Sequence, residues 1–183
     1  TLHLLRGGNP LTVTLAEETW KLEAWPAAAL TETAGNGPQA RWFFARAALS
    51  ARDPAAQEKL WEQALSGAKE KEEAAWIWFR RGDSSERRDP QAADAAFGEA
   101  LKVRNRENAA TLVDAALWSA RGRLASRRED HGAARGFLEK ARVILEQRAP
   151  GTLVLARCLG SLGNTVSSLG EYGPSLELYS GAL

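Results

Sequence analysis

Large apolar residues recur along this chain at a period far longer than a helical turn. Trp42, Trp78, Trp118 and Leu159 stand 36, 40 and 41 residues apart, and four residues after each come Arg46, Gly82, Gly122 and Gly163. Trp61, Phe97, Leu138 and Tyr179 form a second series at 36, 41 and 41, and Ala64, Ala100, Ala141 and Ala182 a third at the same spacings. A fourth runs Asp53-Pro54, Asp89-Pro90, Asp130-His131 and Glu171-Tyr172. Four series that agree in spacing mark internal repeats. Within a unit, a large residue and a small one four positions later share a helix face. Asp followed by Pro reads as an N-cap with proline at the first helical position. Each unit is therefore expected to be a helical hairpin, with the eight large residues of the first two series buried between its helices. Small residues at Gly82, Gly122, Ala93 and Ala134 would let the backbones approach. Glycine inside a helix costs roughly 1 kcal/mol against alanine, so its return at one register calls for a packing reason.

These units resemble the tetratricopeptide repeat. Leu162-Gly163-Asn164, Gly170-Glu171-Tyr172, Tyr179 and Ala182 follow that family's signature almost residue for residue, and Trp118, Gly122, Ala134 and Ala141 do so one unit earlier. The first unit departs from it, with Arg46 and Gln57 at positions that should be small, which implies looser packing there. The resemblance covers about residues 38–183, divided at about 38–69, 70–105, 106–150 and 151–183, the last truncated. It implies an all-α, right-handed superhelix of antiparallel helical hairpins. Units of 41 residues exceed the usual 34 by about two helical turns. In this they are similar to the long-repeat subclass of kinesin light chains and bacterial regulators.

Residues 1–26 have a different pattern. Leu2, Leu4, Leu11, Val13 and Leu15 alternate around Arg6-Gly7-Gly8-Asn9, which predicts a β-hairpin. The string LLRGGNPLTVTL is similar to the closing strands of a PDZ domain, whose peptide-binding parts would lie upstream of Thr1. Residues 27–37, ending in Gly35-Asn36-Gly37, read as a linker. Methionine is absent and residue 1 is Thr, so a longer parent chain is expected, with further repeats or a capping helix after Leu183.

Composition narrows the function. A chain of 183 residues with 44% hydrophobic and 26% charged residues can bury a core. Lys+Arg 24 against Asp+Glu 23 leaves a net charge of +1, which argues against nucleic acid or anionic lipid as a general partner. One cysteine and two histidines supply neither an internal disulfide nor a Cys/His zinc site, and no apolar run is long enough to span a membrane. Phosphate-loop, dinucleotide and nucleophile-elbow motifs are missing, so neither catalysis nor a cofactor is expected. His131 is expected to pack between helices, Cys158 to be an inert thiol, and Glu70-Lys71-Glu72-Glu73 to be a solvated helix start.

In the tetratricopeptide family the first helices line a concave groove one residue after the large and the small ladder positions. By register this implies Phe43 and Ala47, Phe79 and Asp83, Ser119, Arg123, Ser126 and Arg127, then Asn164, Ser167 and Ser168. The amide of Asn164 offers both a donor and an acceptor to the backbone of an extended peptide. Arg123, Arg127 and Arg157 could meet carboxylates, or could pair with glutamates of a neighbouring repeat. Trp76 lies two residues from the ladder, so it is either an exposed anchor for a partner or packs against the first unit. The function this implies is a non-catalytic scaffold that binds a peptide or helix, acidic in character, within a larger bacterial-type signalling or assembly protein. The alternative is an autoregulatory sensor that holds an attached enzymatic domain of the same chain.

Overall fold

The computed structural model describes residues 2–6, 9–13, 40–104 and 110–182. Two short strands, β1 (Leu2–Arg6) and β2 (Asn9–Val13), pair antiparallel with Leu2 opposite Val13. The remainder of the segment compared with a PDZ domain, and the linker at 27–37, lie outside the described residues. From residue 40 onward the described chain is helical: α1 (Ala40–Ser50), α2 (Pro54–Ser66), α3 (Lys71–Ser85), α4 (Pro90–Arg104), α5 (Leu112–Arg127), α6 (His131–Arg148), α7 (Leu153–Ser168) and α8 (Tyr172–Gly181). The helices pack as four consecutive pairs, and each first helix also touches the first helix of the next pair. None of the described helices is long and apolar enough to cross a membrane.

The helix starts follow from the acids that precede them. Asp53 accepts from the Ala56 N–H at 2.8 Å, Asp89 from Ala92 at 2.9 Å and Asp130 from Ala133 at 3.0 Å, so each carboxylate satisfies a donor that the first turn leaves unpaired. Glu171, one methylene longer, makes no cap bond and instead accepts from Arg135 at 2.8 Å. Thr111 opens α5 in a capping box with Asp114, and Thr152 holds the same place before α7. The turns into α6 and α8 pass through the left-handed region at one equivalent position, Glu129 with φ 61° and Gly170 with φ 83°.

Inside the pairs, the recurring glycine has the packing reason its cost demands. A Cβ added at Gly82 would sit 2.5 Å from the Phe97 ring, one at Gly122 2.6 Å from Leu138, and one at Gly163 2.7 Å from the Tyr179 ring. The second series of large residues is therefore seated in the notch that the first helix leaves. Arg46, the counterpart in the first pair, points out to solvent, and Gln57, which replaces the small alanine, donates to the Ala48 carbonyl at 2.8 Å.

Burial of the eight large residues of the first two series differs from expectation at three of them. Trp42, Trp61, Phe97, Leu138 and Leu159 are interior, whereas Trp78, Trp118 and Tyr179 are only half-buried. The residue before each of the two tryptophans, Ile77 and Leu117, is fully enclosed instead, as is Cys158 before Leu159. Each first helix has two neighbours, its own second helix and the preceding pair, so two adjacent rows of side chains become interior. The tryptophan indoles cover the edge of that contact.

The joints between pairs are built in two ways. Between the second and third pairs an apolar cluster of Ala93, Phe97, Ala100, Leu117, Ala120 and Leu124 is flanked by charge: Arg104 donates to Asp114 through two bonds of 2.9 and 3.1 Å, both residues buried, and Arg121 donates to Asp94 at 3.1 Å. The 41-residue register carries Arg104, Asp114 and Arg121 onto Leu145, Leu155 and Leu162. At the next joint those leucines join Leu138, Ala141, Ile144, Cys158 and Val166 in one apolar cluster.

Candidate functional site

The groove residues read from the register fall into three groups. The first is aromatic. Trp76 stacks on Phe79 with centroids 5.2 Å apart and packs against the first pair's core, and Phe79 in turn lies 5.9 Å from Phe97. Trp76 is half-buried and joins the cores of the first two pairs. Its indole N–H has no hydrogen-bond partner among the described residues. Phe43 is half-buried and meets Phe44 edge to face at 5.6 Å.

The second group is charged. Arg123 and Arg127 lie one turn apart on α5, and both reach back to Glu86 in the turn after α3. Arg123 Nη2 donates to Glu86 Oε2 at 2.8 Å, and Arg127 Nη1 meets Oε1 at 3.0 Å. The Glu86 side chain is only 6% exposed, while those of Arg123 and Arg127 are 38% and 49% exposed. A carboxylate buried to this degree needs its charge compensated, and two guanidinium groups on one face of a helix supply that. Asp83 stands 3.8 Å from Arg123 and also 3.8 Å from Arg80. Beside this network lies an open cavity of about 360 Å³ walled by Asp83, Ser84, Glu86, Arg87, Arg123 and Arg127. A guanidinium has five N–H donors, and each arginine has one atom within hydrogen-bond reach of Glu86.

The third group lies on α7. Asn164 is exposed, and its side-chain oxygen accepts from the Tyr179 hydroxyl at 2.6 Å, a bond that does not use the amide N–H donors. Ser168 donates to the Asn164 backbone carbonyl at 3.1 Å, and Ser167 is half-buried. Arg157 is exposed near the start of the same helix. Ser119 belongs elsewhere. It is half-buried near Cys158, whose thiol burial pushes up to about 11. The Cys158 S–H also lies 3.6 Å from the Leu138 carbonyl.

Glu86 was not legible in the sequence. It sits in the run Ser84-Ser85-Glu86-Arg87-Arg88, which reads as a solvated turn, and the register offers no acid at the equivalent place in later units. Asp114 escaped notice for a similar reason, since its role comes from Arg104 across a loop. Burial works to raise the Asp114 carboxyl, but the Arg104 bonds and the Thr111 N–H outweigh it and hold the group below the usual carboxylate range. No protein-family model matches this sequence, and no curated protein matches it either.

Proposed function

We propose that residues 38–183 form a tetratricopeptide-like array, wound as a right-handed superhelix, whose concave side binds a peptide or helix of a partner protein. The observation that carries this reading is the pair Arg123 and Arg127. Glu86 holds both side chains in place from one side, and about two-fifths to one-half of each remains open to solvent beside a cavity. Arginines fixed in this way lose little further freedom on meeting a ligand carboxylate, which favours an acidic peptide. Asn164, through its amide donors, supplies backbone hydrogen bonds, and Phe79 and Phe43 form the apolar end. The array itself is non-catalytic and serves as an interaction platform within a signalling or assembly protein.

The test is selection from a displayed library of acidic peptides, then titration of the selected peptide at two salt concentrations. Arg123→Ala with Arg127→Ala should weaken binding most at low salt, because screening already removes much of that attraction at high salt. Asn164→Ala should cost a similar amount at both, about 1–3 kcal/mol if the amide is buried by the peptide. Glu86→Gln should lose affinity without removing an arginine. Normal binding by these groove variants, with loss by variants on the second helices, would sink the concave-groove reading.

A further inference from the structure

Three positions on the second helices are equivalent in the 41-residue register: Ala96 on α4, Phe137 on α6 and Leu178 on α8. At the middle one, the Phe137 ring stacks on Trp118 with centroids 5.7 Å apart and planes 16° from parallel. The Arg121 guanidinium lies over Phe137 at 4.7 Å and is held by Asp94 of the preceding pair. One pair earlier the tryptophan, the arginine and its acid recur without the ring, and Glu99, in the wall of the slot, stands where Lys140 covers Trp118 at 4.5 Å. Trp78 takes the place of Trp118, Arg81 of Arg121 and Glu58 of Asp94, and Arg81 is ion-paired to Glu58. Ala96 stands where the phenyl ring would be. A cavity of about 320 Å³ opens there, with Trp61, Trp78, Arg81, Ala92 and Ala96 in its wall. Arg81 lies directly over the Trp78 ring, 4.8 Å from its centroid.

We propose that this slot, bounded by α2, α3 and α4, is a binding site for a single aromatic side chain of a partner polypeptide. The incoming ring would stack on Trp78 and carry Arg81 over it, as Phe137 does on Trp118 beneath Arg121. Arg81 keeps its charge partner throughout, because Glu58 is half exposed and able to follow it. The indole face and the guanidinium both select a π-system over an aliphatic chain of similar size. This site includes none of Glu86, Arg123 and Arg127, so it stands or falls independently of the groove.

The test uses the whole chain with labelled indole nitrogens, the Trp78 N–H signal being assigned by Trp78→Phe. N-acetylphenylalanine amide and N-acetylleucine amide are the probes, titrated into the millimolar range. The phenylalanine probe should shift the Trp78 signal to saturation, with an affinity at least five times that of the leucine probe. Ala96→Phe, which returns the chain's own ring to the slot, should weaken the phenylalanine probe at least tenfold and leave the Trp118 signal in place. Should that variant fail to fold, Arg81→Ala is the second test and should bring the phenylalanine affinity down toward that of leucine. Equal affinity for the two probes, or full affinity in whichever variant is folded, would overturn the proposal.

Discussion

The second and third joints of the array occupy the same place in successive repeats, and both hold an apolar cluster, but they differ at two positions beside it. One has the buried Arg104–Asp114 pair there, the other Leu145 and Leu155 at the equivalent positions. At both, the first helix opens with a threonine, Thr111 or Thr152, and follows a long second helix. The comparison teaches that one pair of positions beside an apolar joint can be filled by a buried ion pair or by two leucines. The two solutions differ in what disturbs them. A buried ion pair is costly to desolvate and fails badly when one partner is lost, whereas a leucine pair degrades gradually with lost volume.

The largest expected effect breaks the charged joint on one side only. Asp114→Ala leaves Arg104 buried without its carboxylate and should cost about 3–5 kcal/mol in chemical denaturation. Replacing both residues by leucine copies the third joint into the second and should return the protein to near its original stability or above it. A double variant as unstable as the single one would mean that the two joints are not interchangeable.

A substitution inside a pair then separates joint from hairpin. Gly122→Leu drives a side chain into Leu138, whose nearest atom would be 2.6 Å from the new Cβ, and should lower stability by about 1–3 kcal/mol. Gly136→Ala on the partner helix meets nothing within 4 Å and should raise stability by about 0.5–1 kcal/mol. Equal effects at the two glycines would contradict the assigned register.

The smallest effect is in the acid limb. The Asp114 carboxyl is held below its ordinary range, so its contribution is present above the unfolded value of about 3.9 and is lost as the pH falls through the lower folded value. Glu73 has the same sign: burial raises it, but the Lys69 N–H and Arg41 outweigh that. As the pH falls below about 4, the double-leucine variant should therefore lose less stability than the parent chain, by the share that Asp114 carried. Parallel acid curves for the two proteins would show that Asp114 titrates alike folded and unfolded.

The sequence revealed most where a signal repeats. The acid before each second helix, the glycine facing a large residue, and the four hairpins that these imply could all be read by counting, because each is local or separated by a fixed register. Ile77 and Leu117 carry no sequence signal of their own beside the larger tryptophans, which lie at the edge of the contact and not at its centre. Charges were least legible. Arg104, Asp114 and Glu86 look like ordinary surface residues until the fold brings partners 10 and 37 residues away within reach. Trp76 was open between two fates, and the choice depended on a neighbouring pair that a single helix cannot show.

Cys158 gives this array a built-in clock. Its thiol is the chain's only one, is enclosed at the third joint, and stays protonated until the solution is strongly alkaline, so an alkylating reagent can reach it only when that joint parts. Stacked units can open locally as well as globally, so comparing the labelling rate at Cys158 with the rate of global unfolding separates the opening of this one interface from the unfolding of the whole chain. A reagent added to the folded protein thus turns one buried sulfur into a measure of how independently the last pair of helices breathes.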